Sequence, residues 1–487
     1  MIRTLRVLAA LGIGAIAACG GGDANEPAPD TSGEIDVAPQ AFGEVLSVDQ
    51  IAVYQGVKVS LVRGAERVAP NAPIIADRPA LIRMHTRIPL GSKVPKLTAE
   101  LRVRTPGQPD IVLVSGPRDI TPFNEGDLSS SFYWELTADQ VKDGARLSVE
   151  IYDPSGGDAS VIRYPADGEL PMNVGALAPT LKVRFVPIEY QADGSNRVPT
   201  MDKRTIDAYR DTLYKLYPVS AVDVTVRDVM AWPLEVRGSG EGWSQLLDAV
   251  IRTRENDETA DDVYYVGVFT PAETQREYCQ SGGCILGVAP AQTLGEDVSL
   301  RTAMIVGYHS ERSHGTLAQE LAHAMGRMHA PCGNPVGIDR SFPYSDASIG
   351  TWGWDVLERR FIDPETVFDF MSYCNPVWVS DYTYAAIYDR MVEVERDKRP
   401  DVGAPDREPM KTYHVEKDGS LREGPTIRGV ARSSDELVLE DAAHETIGTV
   451  RGSYHPVSNL GGGMLVTPTE IPAATLRRAR FARPAAP

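Results

Sequence analysis

Short runs in which apolar and polar residues alternate mark the first part of the chain. Val57, Val59 and Leu61 alternate with polar neighbours, as do Leu97, Ala99, Leu101 and Val103, and later Leu147, Val149 and Ile151. A period of two sends every second side chain to the same face, so these runs predict half-buried strands. Pro, Gly and Asp punctuate them, and the segment 42–175 reads as a β-sandwich. From 176 to 400 the period changes. Ile206, Tyr209, Leu213 and Leu216 share one face of a helix predicted over 201–217, and Trp243, Leu246, Leu247, Val250 and Ile251 do so over 242–254. Leu181, Val183 and Phe185 alternate as a strand, while 263–269 is an unbroken apolar run of the kind a strand buried on both faces shows. Mixed strands and helices predict an α/β or α+β domain. The remainder, 401–487, returns to short strand-like pieces at 427–430, 436–439 and 464–466, which predict a small C-terminal β module and tail. A multidomain chain also follows from length, because 487 residues exceed the roughly 250–300 that one core supports.

The first 19 residues stand apart from this pattern. Arg3 and Arg6 precede the apolar run 7–18, which is shorter than the roughly 20 residues a membrane helix needs. The run ends at Ala17-Ala18-Cys19, followed by three glycines. This resembles a bacterial lipobox, in which Cys19 is lipidated and becomes the new N-terminus. Ordinary secretion with a free Cys19 is the plainer alternative. Two acyl chains on a cysteine anchor a soluble domain stably, and Gly20 after the cysteine implies, by the same resemblance, sorting to the outer membrane. Residues 20–41 are rich in Gly, Pro and acidic side chains and read as a disordered tether. The expectation is an exported protein, anchored to the bacterial cell envelope and touching the membrane through its N-terminal lipid only.

Composition narrows the partners. At 42% hydrophobic and 24% charged residues the chain is an ordinary globular one. Its formal net charge is −18, and loss of Arg3 and Arg6 with the leading segment takes it to −20. Such a surface repels phosphate backbones, which excludes nucleic acid as the expected partner. Besides Cys19 there are Cys279, Cys284, Cys332 and Cys374, an even number in an exported chain, which predicts disulfides. The favoured pairing is Cys279–Cys284 and Cys332–Cys374. A structural zinc site built from all four is the alternative, although their spacing lacks paired C-x2-C steps.

The candidate chemistry lies in Gln319-Glu320-Leu-Ala-His323-Ala-Met-Gly326-Arg-Met-His329. On a helix, positions 319 and 323 are one turn apart on one face, where two donors can grip one metal ion. Glu320 beside them is placed to act as general base toward water at the metal. Gly326 lets the helix end in a sharp turn. That turn returns His329 as a third ligand, and three protein ligands with one open position are what catalytic zinc needs.

This pattern resembles the metzincin signature H-E-x-x-H-x-x-G-x-x-H at every defined position except the first, where Gln319 stands for histidine. Downstream, Asp369-Phe-Met371-Ser-Tyr373-Cys374 is similar to the turn that metzincins place beneath the zinc. The resemblance implies Met371 as the Met-turn residue and Tyr373 as a hydrogen-bonding or ligating group that stabilises an oxyanion. The wording of 316–384 is similar to exported bacterial metzincins loosely akin to the mucin-degrading StcE type, which implies a zinc cofactor and a protein or glycoprotein substrate or ligand.

Gln319 divides the expected function in two. Zinc prefers Cys sulfur, His nitrogen and carboxylate oxygen, so an amide oxygen at 319 is a weak or lost ligand. The favoured reading is a pseudoprotease or binding protein that keeps the cleft without the chemistry. The alternative is an active zinc endopeptidase cleaving proteins or glycoproteins. Compensation by another histidine is disfavoured: His314 falls on the wrong side of the helix, and His309 follows a strand-like stretch, 303–306, that is able to edge the cleft, with nothing to place the His309 ring at the metal. His85, His414, His444 and His455 read as structural or surface residues. The acidic stretch 255–262 reads as a solvated turn rather than a calcium loop, and Arg477, Arg478, Arg480 and Arg483 as a solvated or locally paired tail.

Overall fold

A computed structural model describes residues 41–280, 284–291, 297–308, 310–397, 407–430 and 436–482. The lipobox with Cys19, nearly all of the tether, His309 and Arg483 lie outside the described residues. The chain is strand-rich, with few helices and several sheets.

The alternating runs of the N-terminal part build two five-stranded antiparallel sheets. One orders Glu66–Arg67, Lys58–Arg63, Ser47–Tyr54, Ala80–Arg87 and Phe132–Leu136. The other orders Leu170–Pro171, Arg146–Tyr152, Leu97–Arg104 and Ile111–Arg118, with Val161–Tyr164 also paired to Arg146–Tyr152. Val53, Ile82, Leu101 and Val149 belong to one buried apolar cluster, as the period-two pattern requires. His85 is buried there, its ring centroid 3.6 Å from that of Phe123 and neither ring nitrogen hydrogen-bonded. Burial pushes its pKa down to about 3, so it is a neutral packing residue.

The next sheet orders Ala221–Val226, Thr180–Tyr190, Val263–Phe269, Thr302–Val306 and Gly287–Val288, with Met230–Trp232 beside the far half of Thr180–Tyr190. Its first four strands are parallel and Gly287–Val288 runs antiparallel. Both faces are covered, which explains the unbroken apolar run of Val263–Phe269. Phe185, Val266 and Ile305 pack with Tyr209 of helix Lys203–Leu216 and Leu317 of helix Glu311–Ala324. Ile188, Tyr265 and Met304 pack with Trp243 and Leu247 of helix Trp243–Asn256. One expectation needs correcting here. Thr302–Val306 is an interior strand, and the edge of the sheet on that side is Gly287–Val288. A two-residue strand among Gly, Ala and Pro has no period to read.

The sandwich and the mixed sheet share the first apolar cluster. Arg78, fully buried, joins them by donating to Gln55 O (2.8 Å) and to Tyr214 O, Tyr217 O and Val219 O at 2.7–2.9 Å. Three of these carbonyls lie at the C-terminal end of helix Lys203–Leu216, where free carbonyls favour a cation.

The C-terminal part forms one sheet of Leu421–Gly429, Glu408–Val415, Gly463–Thr467 and Ser453–Pro456, and another of Thr446–Arg451, Glu436–Glu440 and Arg480–Phe481. It is docked rather than free-standing. Met410, Ile427, Met464 and Val466 enter the second apolar cluster. His414 bonds Asp248 of helix Trp243–Asn256, and Arg422 reaches the same carboxylate at 2.9 Å. His455 bonds Asp297 at 2.8 Å. The aspartates of the acidic stretch are ion-paired: Asp257 to Arg227, Asp261 to Arg407 and Asp262 to Lys182. In the tail Arg480 lies 3.6 Å from Asp418.

Candidate metal centre and cleft

Helix Glu311–Ala324 carries the motif. Its N-cap, Ser310, accepts a hydrogen bond from Ser313 N, and Leu317, Ala318, Leu321 and Ala322 bury its apolar side. It ends at Gly326, whose φ of +87° is a left-handed conformation that a Cβ disfavours. Arg327 N donates to Ala322 O (2.9 Å) and Gly326 N to His323 O (2.8 Å), closing the helix end. The chain then reverses, and Asp339 N donates to His329 O at 2.8 Å, holding the returning segment.

The reversal brings His323 and His329 together, both buried, with their Nε2 atoms 3.1 Å apart. Nδ1 of His323 is 2.6 Å from Arg327 O, and Nδ1 of His329 is 2.6 Å from Val336 O. Carbonyls only accept, so each Nδ1 carries the proton and donates. Burial and the neighbouring His329 drive the His323 pKa well below its usual value, and burial takes His329 down to about 4. Both rings are therefore neutral near pH 7, with two Nε2 lone pairs facing one another. Two acceptors cannot bond each other, whereas a cation satisfies both. Two nitrogens each about 2.0–2.1 Å from a tetrahedral zinc lie about 3.3 Å apart, close to the observed spacing. The pair fits a metal ion.

Gln319 does not complete the set. Its Nε2 donates to Phe370 O (3.2 Å) and Ser372 O (3.3 Å), which ties the side chain to the turn around Met371. Among the described residues no group of three or more His, Cys, Asp and Glu could hold a metal ion. His314 packs edge-on to Tyr209, with ring centroids 5.2 Å apart.

The turn beneath the histidines is firmly built. Buried Asp369 accepts from Met371 N (2.7 Å) and Ser380 N (2.9 Å). Ala330 N donates to Met371 O and Tyr373 N to Cys332 O, both at 3.0 Å. The disulfide Cys332–Cys374 joins the same two segments, and Cys279–Cys284 closes the second predicted pair.

Glu320 is fully buried and turned toward the edge strand. Ser458 Oγ bonds its Oε2 at 2.7 Å, and Asn459 Nδ2 bonds its Oε1 at 3.1 Å. Burial pushes its pKa up to about 8 against those two bonds, so the carboxyl is mostly protonated at neutral pH. A Cβ at Gly287 would stand 2.5 Å from Glu320 Cγ, so only glycine leaves room for this side chain. Tyr373 is partly exposed at the rim. Its hydroxyl bonds Asn459 Oδ1, and its ring meets His329 edge-on with centroids 5.0 Å apart. Burial and then Glu320 push the Tyr373 pKa up to about 12.

Sequence reasoning missed Gly287, Ser458 and Asn459. The last two lie 138 and 139 positions from Glu320, and the only local signal was a turn-forming Asn-Leu-Gly-Gly. A comparison with protein families matches residues 304–376 to Peptidase M66. No curated protein matches the chain. The matched stretch holds the helix, the histidine pair and the Met371 turn, and supports a metallopeptidase-type family for this region.

Proposed function

We propose that the chain is an envelope lipoprotein with a metzincin-like metallopeptidase domain whose cleft receives a protein or glycoprotein segment without cleaving it. The observation that carries this reading is the bonding of Gln319 to Phe370 O and Ser372 O, which leaves two nitrogen ligands where catalytic zinc needs three. His323 and His329 would hold zinc, which when bound supplies a Lewis acid. Glu320, the general base of the resemblance, is instead neutral and held by Ser458 and Asn459. Tyr373, its oxyanion donor, is held by Asn459. The acidic surface argues for a protein or glycan partner over a nucleic acid.

The alternative, an active zinc endopeptidase, draws support from the histidine pair, whose tautomers and spacing already suit a metal. Metal analysis of the purified chain with casein and mucin cleavage assays separates the two. The proposal expects weak zinc binding and no cleavage. One zinc per chain at micromolar free zinc, with cleavage, would sink it. Gln319→His should raise zinc affinity by about tenfold or more by restoring a nitrogen donor.

A further inference from the structure

Gly287–Val288 is the last strand of its sheet, yet its outer side is not open. Ala291 N donates to Pro456 O (2.7 Å), and Ser458 N donates to Ala289 O (2.9 Å). Ala289 N donates in turn to Ser458 Oγ (2.8 Å), and Asn459 Nδ2 to Gly287 O (2.9 Å). Pro290 and Val457 face each other as an antiparallel bridge. Gly287 O, both polar groups of Ala289 and Ala291 N are thus satisfied by 456–459, first by backbone and then by the Asn459 amide, which takes over as the chain turns away.

These bonds are those by which an extended peptide adds to a sheet edge. The added segment lies against the helix that carries the motif. Its Ser458 and Asn459 bond Glu320, and Asn459 also bonds Tyr373. The segment is part of the turn between strands Ser453–Pro456 and Gly463–Thr467, and Leu460 packs near Gly240 at the same end of the cleft. A turn that only joined two strands would have no reason to satisfy another sheet's edge and two side chains of the site together.

We infer that residues 456–460 are a built-in occupant of the cleft, a strand plug that must leave the Gly287–Ala291 edge before any external peptide can dock there. This deepens the proposed function and rests on it for the identity of the cleft, not for the absence of catalysis. The plug ties cleft access to the docking of the whole C-terminal part, so a partner that pulls on that part opens the site.

The test uses the full chain and a fluorescein-labelled peptide copying residues 453–461 as probe. Ser458→Ala with Asn459→Ala removes side-chain bonds that together hold the plug by at least about tenfold. Ala291 is the reporter amide, because its own bond is to Pro456 O and is untouched by either substitution. The inference expects Ala291 to exchange its hydrogen about tenfold faster in this variant, and the probe to bind it about tenfold more tightly than the wild type. Pro290→Cys with Val457→Cys supplies the opposite arm. The two form a non-hydrogen-bonded antiparallel pair, whose Cα spacing of about 4.5 Å suits a disulfide. The crosslinked chain should bind no probe, while each single-cysteine variant binds as the wild type does. Equal probe binding by the wild-type, released and crosslinked chains, or unchanged Ala291 exchange in the released variant, would overturn the plug. Cleavage of the probe by the released variant would uphold the plug and overturn the non-catalytic reading, so the two failures are distinguishable.

Discussion

His323 and Glu320 lie within one turn of the same helix, yet their surroundings have diverged. On the histidine side, the nearby carbonyls Arg327 O and Val336 O set the tautomers, and the Met371 turn holds the loop by accepting from Ala330 N. That side is ready for a cation. On the carboxylate side, groups from far along the chain have taken over, with Ser458 and Asn459 on Glu320 and the carbonyls of Phe370 and Ser372 on Gln319. One helix thus carries, on one side, a histidine pair whose lone pairs suit a cation and, on the other, an amide and a carboxyl drawn into structural bonding. The difference teaches that the Gln319 amide and the Glu320 carboxyl are engaged independently, by different parts of the chain.

The scaffold under both halves can be broken first. Cys332→Ser with Cys374→Ser opens a loop with a sequence separation of 42. On the chain-entropy account this lowers unfolding free energy by about 4 kcal/mol, read by denaturant titration. Both halves should loosen, because the disulfide joins the His329 loop to the Met371 turn.

The carboxylate half is read by pH in the metal-free chain. The folded Glu320 pKa of about 8 lies above the ordinary value of 4.5, so between the two the folded chain keeps a proton that the unfolded chain has released. Stability from this group is greatest below the ordinary value, falls as pH rises toward 8 and levels off above it. Glu320→Gln should remove that slope, a difference on the order of a few kcal/mol across the window. Parallel stability–pH curves for the two chains would show that the carboxyl is ionised in the fold.

The histidine half has a sharper test. His329→Ala leaves one nitrogen, and zinc affinity measured against a chromophoric chelator should fall by about 100-fold or more. An unchanged affinity would place the metal elsewhere. The smallest effect belongs to the rim. Tyr373→Phe removes one hydroxyl bond to Asn459 at a partly exposed position, so stability should change by about 1 kcal/mol or less, and zinc affinity hardly at all.

Much of this was legible in the residues. The period of two over 57–61, 97–103 and 147–151 became strands of the two antiparallel sheets, and helices predicted over 201–217 and 242–254 formed as Lys203–Leu216 and Trp243–Asn256. Two cysteine pairs formed as the spacing favoured. The edge strand was not legible, because two residues of Gly and Val carry no periodicity.

What the sequence determined by itself is the local apparatus: a helix with positions 319 and 323 on one face, a glycine turn returning His329, and a gap at Gln319 in the ligand set. These follow from helical geometry and side-chain chemistry over a few residues. Only the tertiary structure decided where the Gln319 amide points, that Glu320 is buried and mostly protonated, and that a turn near residue 459 lies along the Gly287–Ala291 sheet edge. The physical reason is that each depends on which distant backbone groups or side chains arrive as neighbours, and burial and hydrogen-bond partners are set by packing rather than by local spacing.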